Sequence, residues 1–254
     1  MDLVKLRNSD YSEYENLLIR RDSLRKDGEY YYLKYLSLFG DLINEVFAKK
    51  VECISKKKKI AYCQARANRN QPINSTELDQ YIETVMSDYY KELNDMINIT
   101  SEAKKSKPIS FFESKRIKEI YRHLAKLIHP DKRPDLAGDE VIQDLWQQIT
   151  LAYTCNNLED LQELQYRTEM YLNAHDGIDA DIVIPDIEEK IKKAEDEIER
   201  ILTTLPYQYK FILEDDEAVR TKTQDLEDEL RSYTEYSAQL DEVLKQFNIT
   251  RITA

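Results

Sequence analysis

Few residues in this chain carry the chemistry of a catalytic or metal centre. The cysteines are Cys53, Cys63 and Cys155, an odd number with no CxxC pair. That spacing excludes a zinc site built on paired thiolates and argues against a disulfide framework. The three read as small, semi-buried apolar residues in a reducing compartment. His123 and His175 stand apart from any carboxylate or cysteine cluster with metal-ligand spacing. There is no glycine-rich phosphate loop, no nucleophile elbow and no convergent acid–base pair. The reading is therefore of a protein that is not an enzyme, with no catalytic residues, no metal and no cofactor.

One tripeptide stands out, His129-Pro130-Asp131, at the end of a basic stretch. From Lys115 to Arg133 there are seven basic residues and two acidic ones, a local net charge of +5 in a chain of −12. Ile117, Ile120, Tyr121, Leu124 and Ile128 recur at helical spacing and form one apolar face, while Lys115, Lys118, Arg122 and Lys126 lie on another. Pro130 disfavours helical geometry at His129, so the helix should stop near Ile128. The spacing predicts that His-Pro-Asp projects as a stiff polar loop, and burial of His129 in a core would overturn the architecture expected of the chain, a central helical module between two elongated hairpins. A second amphipathic helix is expected from about Gly138 to Tyr153, with Ile142, Leu145, Trp146, Ile149 and Ala152 facing inward. A basic face in an acidic chain suggests docking to an acidic partner.

This stretch resembles the J-domain family. Arg116 to Asp131 looks like that family's second helix and signature tripeptide, and Tyr121, Leu124 and Ala125 match its core positions. Trp146, Ile149, Ala152 and Tyr153 match the third helix. The likeness covers about 60 residues, roughly a quarter of the chain. It implies a J-domain core of Tyr121, Leu124, Ile128, Trp146, Ile149 and Tyr153. It also implies docking on a DnaK-type ATPase chaperone through His129, Pro130, Asp131, Lys118, Arg122, Lys126 and Lys132, so that the chaperone hydrolyses ATP. Docking of this kind works by differential binding to one conformation of the partner. Asp131 can accept paired hydrogen bonds from an arginine, and Pro130 pre-organises it. His129 supports the loop or bonds through a ring nitrogen that the sequence does not specify. The chain departs from the family pattern in several places. It lacks the Tyr-Tyr and Leu-Gly pattern of the first helix, for which Phe111 and Phe112, or Leu93, Met96 and Ile97, are the candidate replacements. Leu127 stands where a basic residue is usual, and the Gln-Lys-Arg signature of the fourth helix is missing. There is no Gly/Phe-rich linker and no cysteine-rich region. The implied class is the specialised one.

The surrounding elements read as helices throughout. Charged residues make up 34% of the chain and hydrophobic ones 41%, with only four glycines and six prolines. That composition predicts an all-α protein. Three parts follow: an N-terminal long helical hairpin over 1–107, the J-domain over 108–175, and an acidic coiled-coil hairpin over 185–250. In the first part Leu33, Leu36, Phe39, Ile43, Phe47, Val51 and Ile54 mark a stripe that begins after Gly28 and fades near Ala67. A turn at 68–72 follows, then a helix capped by Ser75 or Thr76 carrying Leu78, Ile82, Val85, Tyr89, Leu93 and Met96. In the third part, Pro185 marks a helix start. Ile187, Ile191, Ala194, Ile198, Ile201 and Leu205 form one heptad seam, broken by Pro206. Val219, Thr223, Leu226, Leu230, Tyr233, Ser237, Leu240, Leu244 and Phe247 form a second. These seams permit a homodimer or intramolecular hairpins.

Asp176 to Ala254 holds 21 acidic and 10 basic residues, which marks it as a solvated spacer or a protein-binding arm. The arms are expected to select a client, which the sequence leaves unknown, or a site. The acidity disfavours nucleic acid as a partner. No window is apolar enough for a membrane span and no leader is visible, so the expected setting is cytoplasmic, with no membrane partner. Lys56 to Lys59 reads as a solvated helix face, and the 18 tyrosines as lining helix seams. The alternative to a co-chaperone is a coiled-coil scaffold whose J-like fold no longer stimulates an ATPase.

Overall fold

Helix α1 (Asp2–Asn68) runs through Gly28 without a break. Helix-favouring neighbours such as Arg25, Lys26 and Glu29 carry it across, and the missing side chain serves packing. A Cβ at Gly28 would stand 3.4 Å from the Pro206 ring and 3.5 Å from the Tyr207 backbone. The computed structural model describes residues 2–105, 111–174, 186–247 and 249–250. Its eight helices over those residues make the protein all-α. Besides α1 they are α2 (Ser75–Lys105), α3 (Phe111–Ile128), α4 (Glu140–Thr154), α5 (Leu158–Ala174), α6 (Ile187–Thr203), α7 (Tyr209–Leu213) and α8 (Asp216–Leu244). A short 3-10 turn, Pro134–Leu136, lies between α3 and α4.

The chain divides into two compact units, and neither follows the three consecutive stretches suggested by the sequence. One contains residues 1–31 and 107–209; the other contains 32–106 and 210–254. Helices α6 and α8, expected to fold together as a hairpin, thus belong to different units. The α6 seam packs on α1 at Ala194, and α8 bonds to α1 through Tyr233, Ser237 and Asp241.

The first unit is built on α3, α4 and α5. Ile117, Ile120, Tyr121, Leu124, Ala125 and Ile128 of α3 meet Ile142, Leu145, Ile149, Ala152 and Tyr153 of α4. Leu161 and Leu164 of α5 complete the cluster, and Ile19 of α1 touches it. Two caps set the helix starts. Asp139 accepts from the backbone N–H of Val141 at 2.9 Å and of Ile142 at 3.2 Å. Asn157 accepts from the Asp160 N–H at 3.2 Å. Of the residues proposed to stand in for the family's first helix, Leu93 and Met96 belong to the other unit. Phe112 is 81% exposed, Ile97 is exposed and sits in the other unit, and the Phe111 side chain lies outside the described residues. The third wall comes from α5, whose Leu161 and Leu164 are three residues apart and so share one face. His175 and Pro185 also lie outside the described residues.

A second cluster holds α6 to α1 through Tyr14, Leu18 and Ala194, with Leu17, Ile187 and Ile191 packed around it. Ile198 is buried on the same seam, whereas Leu205, beyond the helix end, is exposed.

The second unit pairs α2 with the later part of α1 as an antiparallel hairpin, with α8 against α1. Val51 and Cys63 of α1 pack with Leu78, Ile82 and Met86 of α2, and with Ile73 of the connecting turn. The cap of α2 is Asn74, whose side chain accepts from the Thr76 N–H at 2.8 Å, rather than Ser75 or Thr76. Every residue of the α8 seam from Val219 to Phe247 is buried or half-buried. Lys56 is not a solvated charge. Its ammonium meets Glu52 at 2.8 Å, Ser237 Oγ at 2.7 Å and Asp241 at 2.6 Å. Glu52, bonded to Lys49, Lys56 and Ser237, has its carboxyl pushed down to about 2. Ile73 and Asn74 pair in parallel with Ile249 and Thr250. Cys53 and Cys63 are buried, while Cys155 is exposed.

Candidate functional site

The His-Pro-Asp turn sits where α3 ends, and its backbone is held locally. The His129 N–H still donates to the Ala125 carbonyl at 3.2 Å, as a helix continuation. The His129 carbonyl accepts from the N–H groups of Lys132 at 2.9 Å and Arg133 at 2.8 Å. The Asp131 N–H donates to His129 Nδ1 at 3.1 Å. An imidazole that accepts at Nδ1 in its neutral form carries its proton on Nε2, so this turn selects the tautomer. The ring stands edge-on to Trp146, with centroids 4.7 Å apart. Burial holds the His129 pKa below the ordinary histidine value; Arg21 and Lys132 also lower it, and Asp131 and Asp22 oppose them.

The expected core residues come together. Tyr121, Leu124, Ile128, Ile149 and Tyr153 are buried in one cluster, and Trp146 packs against it half-buried. Tyr121 and Tyr153 stack at 3.8 Å. Burial beside Asp22 pushes the Tyr121 hydroxyl well above the usual tyrosine range. The loop cations fold inward. Lys132 donates to the Lys126 carbonyl at 2.7 Å, and Arg133 makes three bonds to Asp135 between 2.8 and 3.1 Å. That grip holds the Asp135 carboxyl below its ordinary value. His123 pairs with a single carboxylate, Glu169, at 2.8 Å, and no group of three metal-binding side chains occurs among the described residues.

The expected projection of the tripeptide holds for Pro130 and Asp131, which are exposed, but not for His129, which is 5% exposed. The cause is α1. Asp22 Oδ2 accepts from the Tyr121 hydroxyl at 2.8 Å and lies 3.9 Å from His129 Nε2. Asp27 pairs with Lys118 at 2.6 Å. Glu15 lies 3.0 Å from the Lys132 ammonium and 3.8 Å from that of Lys126. Lys26 donates to the Tyr153 carbonyl, and its ammonium stands 3.9 Å from the centre of the Tyr153 ring. Of the cations expected on the docking face, Arg122 stays exposed and lines an open groove with Ile19, Ser23 and Lys126. A cleft of about 360 Å³ separates Arg21, Asp22 and Arg25 of α1 from His129, Pro130 and Asp131.

Sequence reasoning missed these α1 residues, because its apolar stripe begins only after Gly28. A signal was there to find. Glu15, Ile19, Asp22 and Lys26 follow at steps of four, three and four, which is a helical face with one aliphatic member. No family model matches the chain, and neither a curated protein nor a solved structure matches it.

Proposed function

We propose that the α3–α5 bundle is a J-domain-like docking module, which binds a DnaK-type chaperone and stimulates its ATP hydrolysis. The observation that carries this reading is the placement of His129-Pro130-Asp131 at the tip of a basic helix. Its apolar side is sealed in a bundle, and its Pro130 and Asp131 point to solvent. Lys118, Arg122, Lys126 and Lys132 are the cations that would meet an acidic partner surface. Asp131 is the acceptor for a partner arginine. His129 acts as the strut: its ring fixes the Asp131 backbone and leans on Trp146. The chain itself makes and breaks no bonds in this scheme. The remaining helices would present a client or place the module, in a cytoplasmic setting. No helix among the described residues is long and apolar enough to cross a membrane.

The test is single-turnover ATP hydrolysis by a DnaK-type chaperone with the full chain added, against His129→Gln of verified fold. Stimulation by the native chain, lost by tenfold or more in His129→Gln, is the expected outcome. A second reading, a coiled-coil scaffold without ATPase stimulation, is favoured by the burial of His129 and the pairing of Lys118 and Lys132 within the chain. Absence of stimulation by a folded chain whose docking face has been opened would select it.

A further inference from the structure

Three of the four cations that a docking partner would meet, Lys118, Lys126 and Lys132, already face carboxylates of the same chain. Glu15 meets Lys132 and stands 3.8 Å from Lys126, Asp27 meets Lys118 and Asp22 bonds Tyr121, while Arg122 is left exposed. Resting on the docking reading above, we propose that residues 10–31 of α1 are an autoinhibitory cover: a helix whose carboxylates Glu15, Asp22 and Asp27 occupy the docking face in place of the partner's and must be displaced before the partner binds.

Three features distinguish this contact from an ordinary core interface. The first is its composition. Of the four α1 residues at the centre of the face, Glu15, Asp22 and Lys26 are charged, and only Ile19 enters the hydrophobic cluster. Where α1 meets the bundle aromatics it does so mainly through charged groups, Asp22 on the Tyr121 hydroxyl and Lys26 on the Tyr153 ring.

The second is incomplete satisfaction. Glu15 Oε1 is buried with no hydrogen-bond partner. Lys26, 8% exposed, keeps a charge in a site whose burial pushes its pKa down to about 8. Buried charges imperfectly compensated weaken a contact. The third is the second face of the same segment. Tyr14 and Leu18 pack on α6 at Ala194, and Arg21 and Arg25 pair with Glu197. That side gives α1 an apolar partner that does not depend on the docking face.

A charged cover over a charged face is the arrangement a competing acidic surface can replace, since the incoming carboxylates take over the same cations. Displacement frees Lys118, Lys126, Lys132 and the His129 ring together, because Glu15, Asp22 and Asp27 lie on one helix.

The test uses the full chain carrying Glu15→Gln and Asp27→Asn, and a second form that adds Asp22→Asn. Trp146, the chain's single tryptophan, lines the covered cleft, so its quenching by acrylamide reads the opening without any partner. Single-turnover ATP hydrolysis by a DnaK-type chaperone reads the consequence. The expected result is stronger quenching and a half-maximal stimulating concentration at least fivefold lower than for the native chain. Lys26→Met, which removes the buried charge, should move both readouts the other way. Unchanged quenching even with all three substitutions would overturn the proposal, because these carboxylates would not hold the segment down. Increased quenching with an unchanged half-maximal concentration, in a native chain that does stimulate, would also overturn it and leave the docking reading standing. Increased quenching with no stimulation by any form would overturn the docking reading itself, and the cover's role with it.

Discussion

His129 is the residue whose environment differs most from what its sequence neighbourhood implies. A helix-terminating His-Pro pair predicts exposure, yet the ring lies between Trp146 and Asp22 with its Nδ1 tied to the Asp131 backbone. A histidine held below its ordinary pKa by burial is neutral in the folded state where the unfolded chain is already protonated. As pH falls below ~6.5 the unfolded state takes up the proton first, and stability is lost down to the folded value. Urea melts of the native chain should therefore show a lower midpoint at pH 5 than at pH 7. In His129→Gln the part of that drop contributed by this ring should vanish. An identical loss in the variant would show that the carboxylates of the site, rather than the imidazole, carry the pH dependence.

At the scale of elements, helix faces decide what the periodicity leaves open. Helix α1 is long because nothing in residues 2–68 interrupts it, but it is stable because neighbouring helices cover it along its length. Where α2 crosses it, Gly40 is required. A Cβ there would stand 2.6 Å from Thr100 Cγ2 and 2.8 Å from its Oγ1, and Thr100 is buried and bonded to Asn44 at 3.1 Å. Gly40→Ala is expected to cost about 1–3 kcal/mol, because overpacking at this crossing outweighs the gain in helix propensity. Chemical denaturation checks this. A stabilised Gly40→Ala protein would mean that Thr100 rotates away freely. Substituting Thr100→Ser together with Gly40→Ala removes the closest carbon contact, and so should recover part of the loss.

At the scale of the whole molecule, the acidic C-terminal third is not one arm. Its α6 completes the unit that contains the His-Pro-Asp turn, and its α8 completes the other. Removing residues 185–254 would therefore strip α6 from one unit and α8 from the other, together with the short α7. It would uncover Tyr14 and Leu18 in the first, and in the second Cys53 and Lys56, which bond to α8. Burial of a single large apolar side chain is worth about 1.5–3 kcal/mol. At roughly 2–4 °C per kcal/mol for a chain of this size, the truncated protein should melt at least 10 °C lower, by circular dichroism. A truncated chain that melts like the native one would restore the picture of a solvated, detachable arm.

Residue order alone is enough to predict the all-helical class, the apolar faces of α3 and α4, the stop before Pro130 and the seams of α6 and α8. All of these are local: a helix face is a repeat of three and four residues, and a proline acts on its own neighbours. Only the tertiary structure decided that α5 supplies the third wall of the bundle, that the two seams serve different units, and that the start of α1 lies over His129. The last depended on matching Glu15 and Asp27 with cations, and Asp22 with the Tyr121 hydroxyl, about a hundred residues away. Ion pairs leave no periodic apolar trace, and the geometry that brings them together exists only after the helices have packed.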